Sequence, residues 1–279
     1  MLLDDPSLQQ RSPGQEFARA CAGRPAAGAC VTLRSSITTR FPLFEHRPRL
    51  TVRDLMKVAV VTSDVVTYAR ETAAQEGDHA IRSATSAPEA AFGAGVVQAR
   101  VSPVTARAPV PAAILDDPAG LAALIDYRLL VRLCTAENDA LLHGTGEGGI
   151  QGLLDTPGLR RQESRGSVRE TILAAAARCE HYGGSADGIV MNPADWWPLV
   201  GEDGFLAGLD RVGLRINRTR LVPPGTAIVG DFQAGATVLD RQTATIQLVE
   251  EGGAMFAHGE FLEGLAVHLP GHFVLTSFT

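Results

Sequence analysis

The sequence predicts a mixed α+β fold without regular β–α–β alternation, and three observations carry that reading. A long amphipathic helical segment runs mid-chain from residue 118 to residue 142. Short apolar strand segments, separated by Gly and Pro turns, fill the C-terminal half. Two extended stretches flank a weakly apolar tip, rich in Ala, Gly and Ser, between residues 75 and 95. With 279 residues, 45% of them apolar and 20% charged, the chain can bury a sizeable core.

Residues 1–50 carry Pro6, Pro13, Pro25, Pro42 and Pro48, which interrupt any period. They read as an arm that is ordered only where it lies on another surface. The stretch "LTVRDLMKVAVVTSDVVTYARE" (50–71) opens on a short helix signal and continues β-rich, and "VVQARVSPVTARAPVPA" (96–112) partly alternates. Together they predict a long projecting β-hairpin, which buries too little of itself to be stable alone and needs a partner surface.

Asp117 is placed to cap the long helix, and Pro118 suits its first position. Leu121, Leu124, Ile125, Leu129, Leu133, Ala136 and Ala140 recur at helical spacing, while Asp126, Arg128, Arg132 and Asp139 fall mostly elsewhere. Such a helix spans about 37 Å. A second helix starts at the capping box Ser167–Glu170 and stops at Gly183-Gly184. "GIVM" (188–191) reads as a buried strand, followed by a helix capped at Asn192-Pro193. "VPPGTAIVGDF", "ATVLDR", "ATIQLVEE" and "GLAVHLPGHFVLTSF" supply further strand segments.

The chemistry-bearing motifs dissolve under inspection. Gly144, Gly146 and Gly149 form G-x-G-x-x-G, but this motif cradles a pyrophosphate only between a strand and a helix. Here a long helix precedes it, and Glu147 inside it repels phosphate. Gly144 is expected instead to end the helix in a left-handed conformation, and a nucleotide-using enzyme is the minor alternative. His268 and His272 are four apart, yet Pro270 between them forbids a shared helical face, so they read as strand or turn residues. Ser185 reads as a turn residue, Asp116-Asp117 as a cap, and Glu250-Glu251 as the start of a turn at Gly252-Gly253. Of Trp196 and Trp197, one is expected in the core and one at an interface. Cys21, Cys30, Cys134 and Cys179 show no C-x-x-C spacing and are expected as reduced thiols. No catalytic residue, cofactor or metal site is expected. A net charge of −6 argues against a nucleic-acid groove. With no signal peptide and no bilayer-length apolar run, the expected setting is cytoplasmic, without a membrane partner.

The order of segments resembles the major capsid proteins of tailed phages of the Hong Kong 97 type, whose fold bacterial encapsulin nanocompartments share. The likeness covers roughly residues 47–273. Its most specific signals are the helix running into "ENDALLHGTG" and the later "NPADW", supported by "GTAIVGDF" and "VLDR". The resemblance implies an N-arm at 1–50, an extended E-loop at 62–112, a P-domain with a long spine helix at 113–184 and 239–268, and an A-domain at 185–238 and 269–279. The implied function is self-assembly of many copies into an icosahedral hollow shell.

Two departures matter. Some phage members weld their shells through an E-loop lysine, and residues 62–112 contain none: Lys57 is the sole lysine. The stretch around 256–265 is also shortened against the phage pattern. Because the chain begins almost directly at the arm, the expected shell is an encapsulin nanocompartment enclosing a cargo enzyme. The alternative is a virion: the capsid of a tailed phage, prophage or gene transfer agent, with DNA only as packaged genome. By analogy with A-domain loops, Glu202 and Asp203 are candidate pore-lining residues; an ordinary solvated loop is the competing reading.

Overall fold

A computed structural model describes residues 12–21, 26–33, 51–72, 93–202 and 204–278. Proline does not keep the described part of the arm irregular. Helix α1 (Pro13–Ala20) starts at a capping box in which Ser12 and Gln15 satisfy each other's backbone amides. Pro13 sits at the first helical position, where its missing N–H costs nothing, and Phe17 is fully buried. Strand β1 (Cys30–Leu33) follows. A single turn of helix, α2 (Val52–Leu55), capped reciprocally by Thr51 and Asp54, leads into β2 (Lys57–Val60).

The hairpin pairs β3 (Val65–Glu71) with β4 (Ala94–Arg100), from Val65 opposite Arg100 to Glu71 opposite Ala94. The stretch after Val101, expected to continue the hairpin arm, forms β5 (Ser102–Val110) and pairs with the body of the molecule instead.

The long helix α3 runs through residues 118–143 with its predicted Asp117 cap, but it is not uniform. Residues Ile125–Leu129 form a π-turn. The extra residue in that turn rotates Asp126, expected on the polar face, to a position where it is 7% exposed. The helix end also differs from expectation. Gly144 has φ −58, not a left-handed value. Glycine is required there because a Cβ would collide with the carbonyl oxygens of Ile150 and Ala140. The left-handed turns of the glycine-rich loop fall at Gly146 and Gly148.

Strand β6 (Arg160–Gln162), helix α4 (Val168–His181, with the predicted Ser167–Glu170 box), β7 (Gly188–Met191) and α5 (Pro193–Val200, capped by Asn192) follow. Then come α6 (Phe205–Arg211), β8 (Arg215–Arg218), β9 (Thr226–Gly230) and the short α7 (Phe232–Gly235). "ATVLDR" and "ATIQLVEE" are not separate strands. They are one 16-residue strand, β10 (Ala236–Glu251), whose register shifts between Asp240 and Ala244, with Gln242 at φ 50. A bulge absorbs the polar Arg241–Thr243 step that the sequence suggested was a turn. Gly252 and Gly253, both at positive φ, make the tight turn into β11 (Ala254–Val267). Strand β12 (Phe273–Ser277) ends the fold.

Two sheets organise the body. The first has the order β1-β10-β11-β5, with β2 parallel beside the first half of β10. Helix α3 lies across it: Leu121, Ile125, Leu129, Leu133 and Leu141 pack with Ile246, Leu248, Phe261 and Leu265. Gly259 permits the close approach, since a Cβ there would stand 2.6 Å from the Leu133 side chain. The second sheet is mixed, β6-β12-β9-β7-β8. Its pleat sends Val190 and Ile228 into the first cluster and Ile189, Met191 and Val229 into a second one under α4 and α6. Burial on both faces explains why "GIVM" is uniformly apolar.

Candidate assembly surfaces

Strands β3 and β4, among the described residues, pair only with each other. Their alternation divides the hairpin into two faces. Val66, Tyr68, Val97 and Ala99 point inward and pack on Leu239 of β10 and Ala266 of β11. Val65, Ala69 and Val96 point outward, where Val65 is 40% and Val96 78% exposed. Polar contacts pin the root. The Glu71 amide donates to the His268 carbonyl (2.8 Å), Arg70 Nε donates to the Val267 carbonyl (3.2 Å), and the Val101 amide donates to the Asp64 carbonyl (2.9 Å). The Tyr68 ring meets the His268 ring edge-on at 5.1 Å. A two-stranded ribbon with one face bare, its Val65, Ala69 and Val96 interleaved with Thr67, Gln98 and Arg100, is marginal in water. Another molecule's surface would complete it.

Helix α2 leads into β2, the strand that precedes the hairpin, and acts as a hub. The Val52 amide donates to Asn138 Oδ1 of α3 (2.8 Å), and the Leu55 carbonyl accepts from Arg215 (3.0 Å) and Gln233 (2.7 Å) beside the second sheet. Arg53 points into the protein. Its Nη1 donates to Glu137 Oε1 of α3 (3.2 Å) and Glu263 Oε1 of β11 (3.1 Å), and its Nη2 donates to Asp240 Oδ2 of β10. All four side chains are almost fully buried. Burial alone would lower the Arg53 pKa, but the charges of Glu263, Glu137 and Asp240 outweigh it and hold the guanidinium protonated. Burial pushes the Glu263 carboxyl well above the usual carboxylate range; Glu137 adds to that and Arg53 opposes it.

Sequence reading missed this cluster because its acids lie 84, 187 and 210 residues from Arg53. One signal was present. Glu137 stands four residues from both Leu133 and Leu141, on the apolar stripe rather than the polar face.

The arm is latched at the π-turn. Asp126 accepts from Ser12 Oγ and from the Gly14 amide (2.8 Å), and a Cβ at Gly14 would collide with the Ala122 carbonyl oxygen and the Asp126 carboxyl. Burial pushes the Asp126 carboxyl up, and those two hydrogen bonds work against it. Asp126→Ala strands both donors and is expected to cost about 1–3 kcal/mol of arm docking. Limited proteolysis should cut within residues 13–20 faster in the variant; equal rates would contradict the latch.

The remaining sequence candidates take structural places. His268 caps the hairpin root, its Nε2 3.1 Å from Thr237 Oγ1, and His272 lies 3.7 Å from Asp231. The Ser185 amide donates to Asp231 Oδ2 in a turn. Trp196 packs on the second cluster, while Trp197 is 62% exposed; the Arg218 guanidinium lies over both rings. All four cysteines are free. Among the described residues no group of His, Cys, Asp and Glu forms a metal site. Glu202 is half-buried in the turn after α5, its amide donating to the Leu199 carbonyl (3.1 Å); Asp203 lies outside the described residues.

The family model described as the phage capsid family matches residues 30–199, more than half of the chain. The major capsid protein of Enterobacteria phage HK97 is 28% identical over 218 residues, covering 73% of this chain. The chain spans 57% of that relative's length. Among solved structures, a virus-like particle from Pyrococcus furiosus superposes with a TM-score of 0.58 at 13% identity, covering 82% of this chain and 92% of that one. The capsid of a native GTA particle gives a TM-score of 0.59 at 16% identity, over 82% of this chain and 90% of its own. At such identities the likeness is one of fold.

Proposed function

The chain belongs to the phage capsid family and has its α+β capsid fold, a structural protein rather than an enzyme, and on that premise we propose that its copies close into an icosahedral shell around DNA. The observation that carries the shell reading is the hairpin, whose outward face exposes Val65 and Val96 with nothing among the described residues to cover them. A sister subunit supplies that cover, and repetition of one such contact under closed symmetry makes a shell.

Enclosed DNA, in the capsid of a tailed phage, prophage or gene transfer agent, is favoured over the nanocompartment expected from sequence. Fold does not separate the two, since the Pyrococcus particle and the GTA capsid superpose equally well. What supports the DNA reading is detectable identity over most of the chain to a phage major capsid protein. The second reading is a compartment holding a cargo enzyme, supported by the likeness to the virus-like particle. Purified particles treated with nuclease distinguish them. Protected DNA is expected, and DNA-free particles carrying a second protein in fixed proportion would overturn the DNA reading.

In this assignment the N-arm is 1–50, the E-loop 62–112, the P-domain 113–184 with 239–268, and the A-domain 185–238 with 269–279. The packing of β6 and α4 with the second sheet argues for a boundary between P- and A-domains nearer residue 160. Glu202 and Asp203 stand as the pore-lining proposal; neutralising both should change small-ion permeation through intact shells. With no lysine in 62–112, the shell is non-covalent. Boiled, denatured particles should run as one monomer band, and a ladder of covalent oligomers would contradict this.

A further inference from the structure

We propose that Glu137 and Glu263 share a single proton beside Arg53, and that loss of this proton releases α2 and with it the root of the hairpin. The inference rests on the shell reading only for its consequence, which is that high pH would loosen the element through which subunits join.

The geometry is that of three acids around one cation. Arg53 faces carboxyls from α3, β10 and β11. Fully ionised, the group would hold two uncompensated negative charges in the core, which burial forbids. Asp240 has a donor on each of its oxygens. One oxygen takes Arg53 Nη2, and the other accepts from the Gln242 amide (2.6 Å), brought into place by the left-handed bulge residue. Glu137 and Glu263 instead divide one nitrogen, Nη1, between them, which holds their two carboxyl groups side by side against a single donor. Two buried carboxyls on one donor repel each other when both are ionised, and a single proton on either removes that repulsion.

Among the described residues, the other facing groups offer no second positive charge. From α3 comes the Cys134 thiol, whose pKa is raised by burial and then by Glu137. From α2 comes Asp54, which adds negative charge near that thiol. From β5, Ser102 stands opposite Glu263, its hydroxyl donating to the Gly148 carbonyl (3.4 Å). From β2, Val60 stands opposite Asp240.

The direction of the switch follows from the raised carboxyl. A group that holds its proton more tightly folded than unfolded contributes fully below the unfolded carboxylate range, and its contribution is lost as pH rises through the folded value. The clamp therefore opens on the alkaline side. Helix α2 yields first, because Arg53 anchors its inward face and only Met56 separates the helix from β2.

Two measurements on the full chain test this. Infrared spectra at neutral pH should contain the carbonyl stretch of a protonated, buried carboxyl, which Glu263→Gln removes. Hydrogen-exchange protection of residues 52–60, corrected for intrinsic rates, should fall by about tenfold per pH unit once the shared proton dissociates. Protection of 226–230 should hold, and Glu263→Gln should flatten the response of 52–60. If that variant does not fold, Glu137→Gln removes the other partner and gives the same readouts, while the wild-type spectra stand alone. Absence of the carboxyl band, or pH-independent protection at 52–60, overturns the shared proton. A chain that shows the band but never forms particles would instead sink the shell function and leave this inference standing.

Discussion

Arg53→Met is expected to cost about 3–5 kcal/mol of folding stability, the penalty for breaking a buried ion pair by removing one partner. Methionine fills much of the arginine's volume, so the loss is electrostatic rather than a packing defect. Glu137, Asp240 and Glu263 would then face one another in the core without a cation. Loss of Arg53 removes the charge that opposes the burial-raised Glu263 carboxyl, which would then hold its proton more tightly still. A carboxyl raised in this way is least costly below the unfolded carboxylate range. The deficit of Arg53→Met should therefore shrink as pH falls and widen as pH rises. Denaturant unfolding at several pH values checks both magnitude and slope. Adding Glu137→Gln and Glu263→Gln to Arg53→Met should recover part of the loss, because the stranded charges go with them. A loss below about 1 kcal/mol would mean that the cluster is not the clamp described.

Val65→Asp with Val96→Asp should leave the subunit intact and abolish assembly. Both valines lie on the outward face of the hairpin, so the body feels little: exposed substitutions of this kind cost within about 0.5 kcal/mol. In a shell that face is covered, and two carboxylates would have to be buried there with only Arg100, opposite Val65, as a cross-strand partner. The expected result is a folded protein with near-native thermal unfolding that no longer sediments as a particle. Tyr68→Ala provides the contrast. It removes the inward anchor on Leu239 and Ala266 and should destabilise the root itself. Particles that form normally from the double variant would show that this face is not a subunit contact.

The elements legible in the sequence were those written in local code. Asn192-Pro193, Ser167–Glu170 and Asp117-Pro118 announce helix starts, because a cap needs only neighbours within a turn. Gly252-Gly253 likewise announces its turn. The order of those elements carried the resemblance to a capsid fold. What escaped was set by distant partners. The π-turn that rotates Asp126 inward makes sense only once Ser12 and Gly14 arrive from the arm. The bulge at Arg241–Thr243 looks like a loop until β11 runs beside both halves of β10. Arg53, inside a four-residue helix with an obvious Thr51–Asp54 box, reads as a surface arginine unless its three acids are brought to it. Gly144 was right as a terminator and wrong in its reason, since crowding by the Ile150 carbonyl, not handedness, excludes a side chain.

The most direct test of the central claim is the mass of the purified wild-type chain in dilute buffer, measured by sedimentation velocity. Closure through the exposed hairpin predicts hollow particles in the megadalton range and little free subunit. A stable, well-folded monomer that stays monomeric as concentration rises would contradict it.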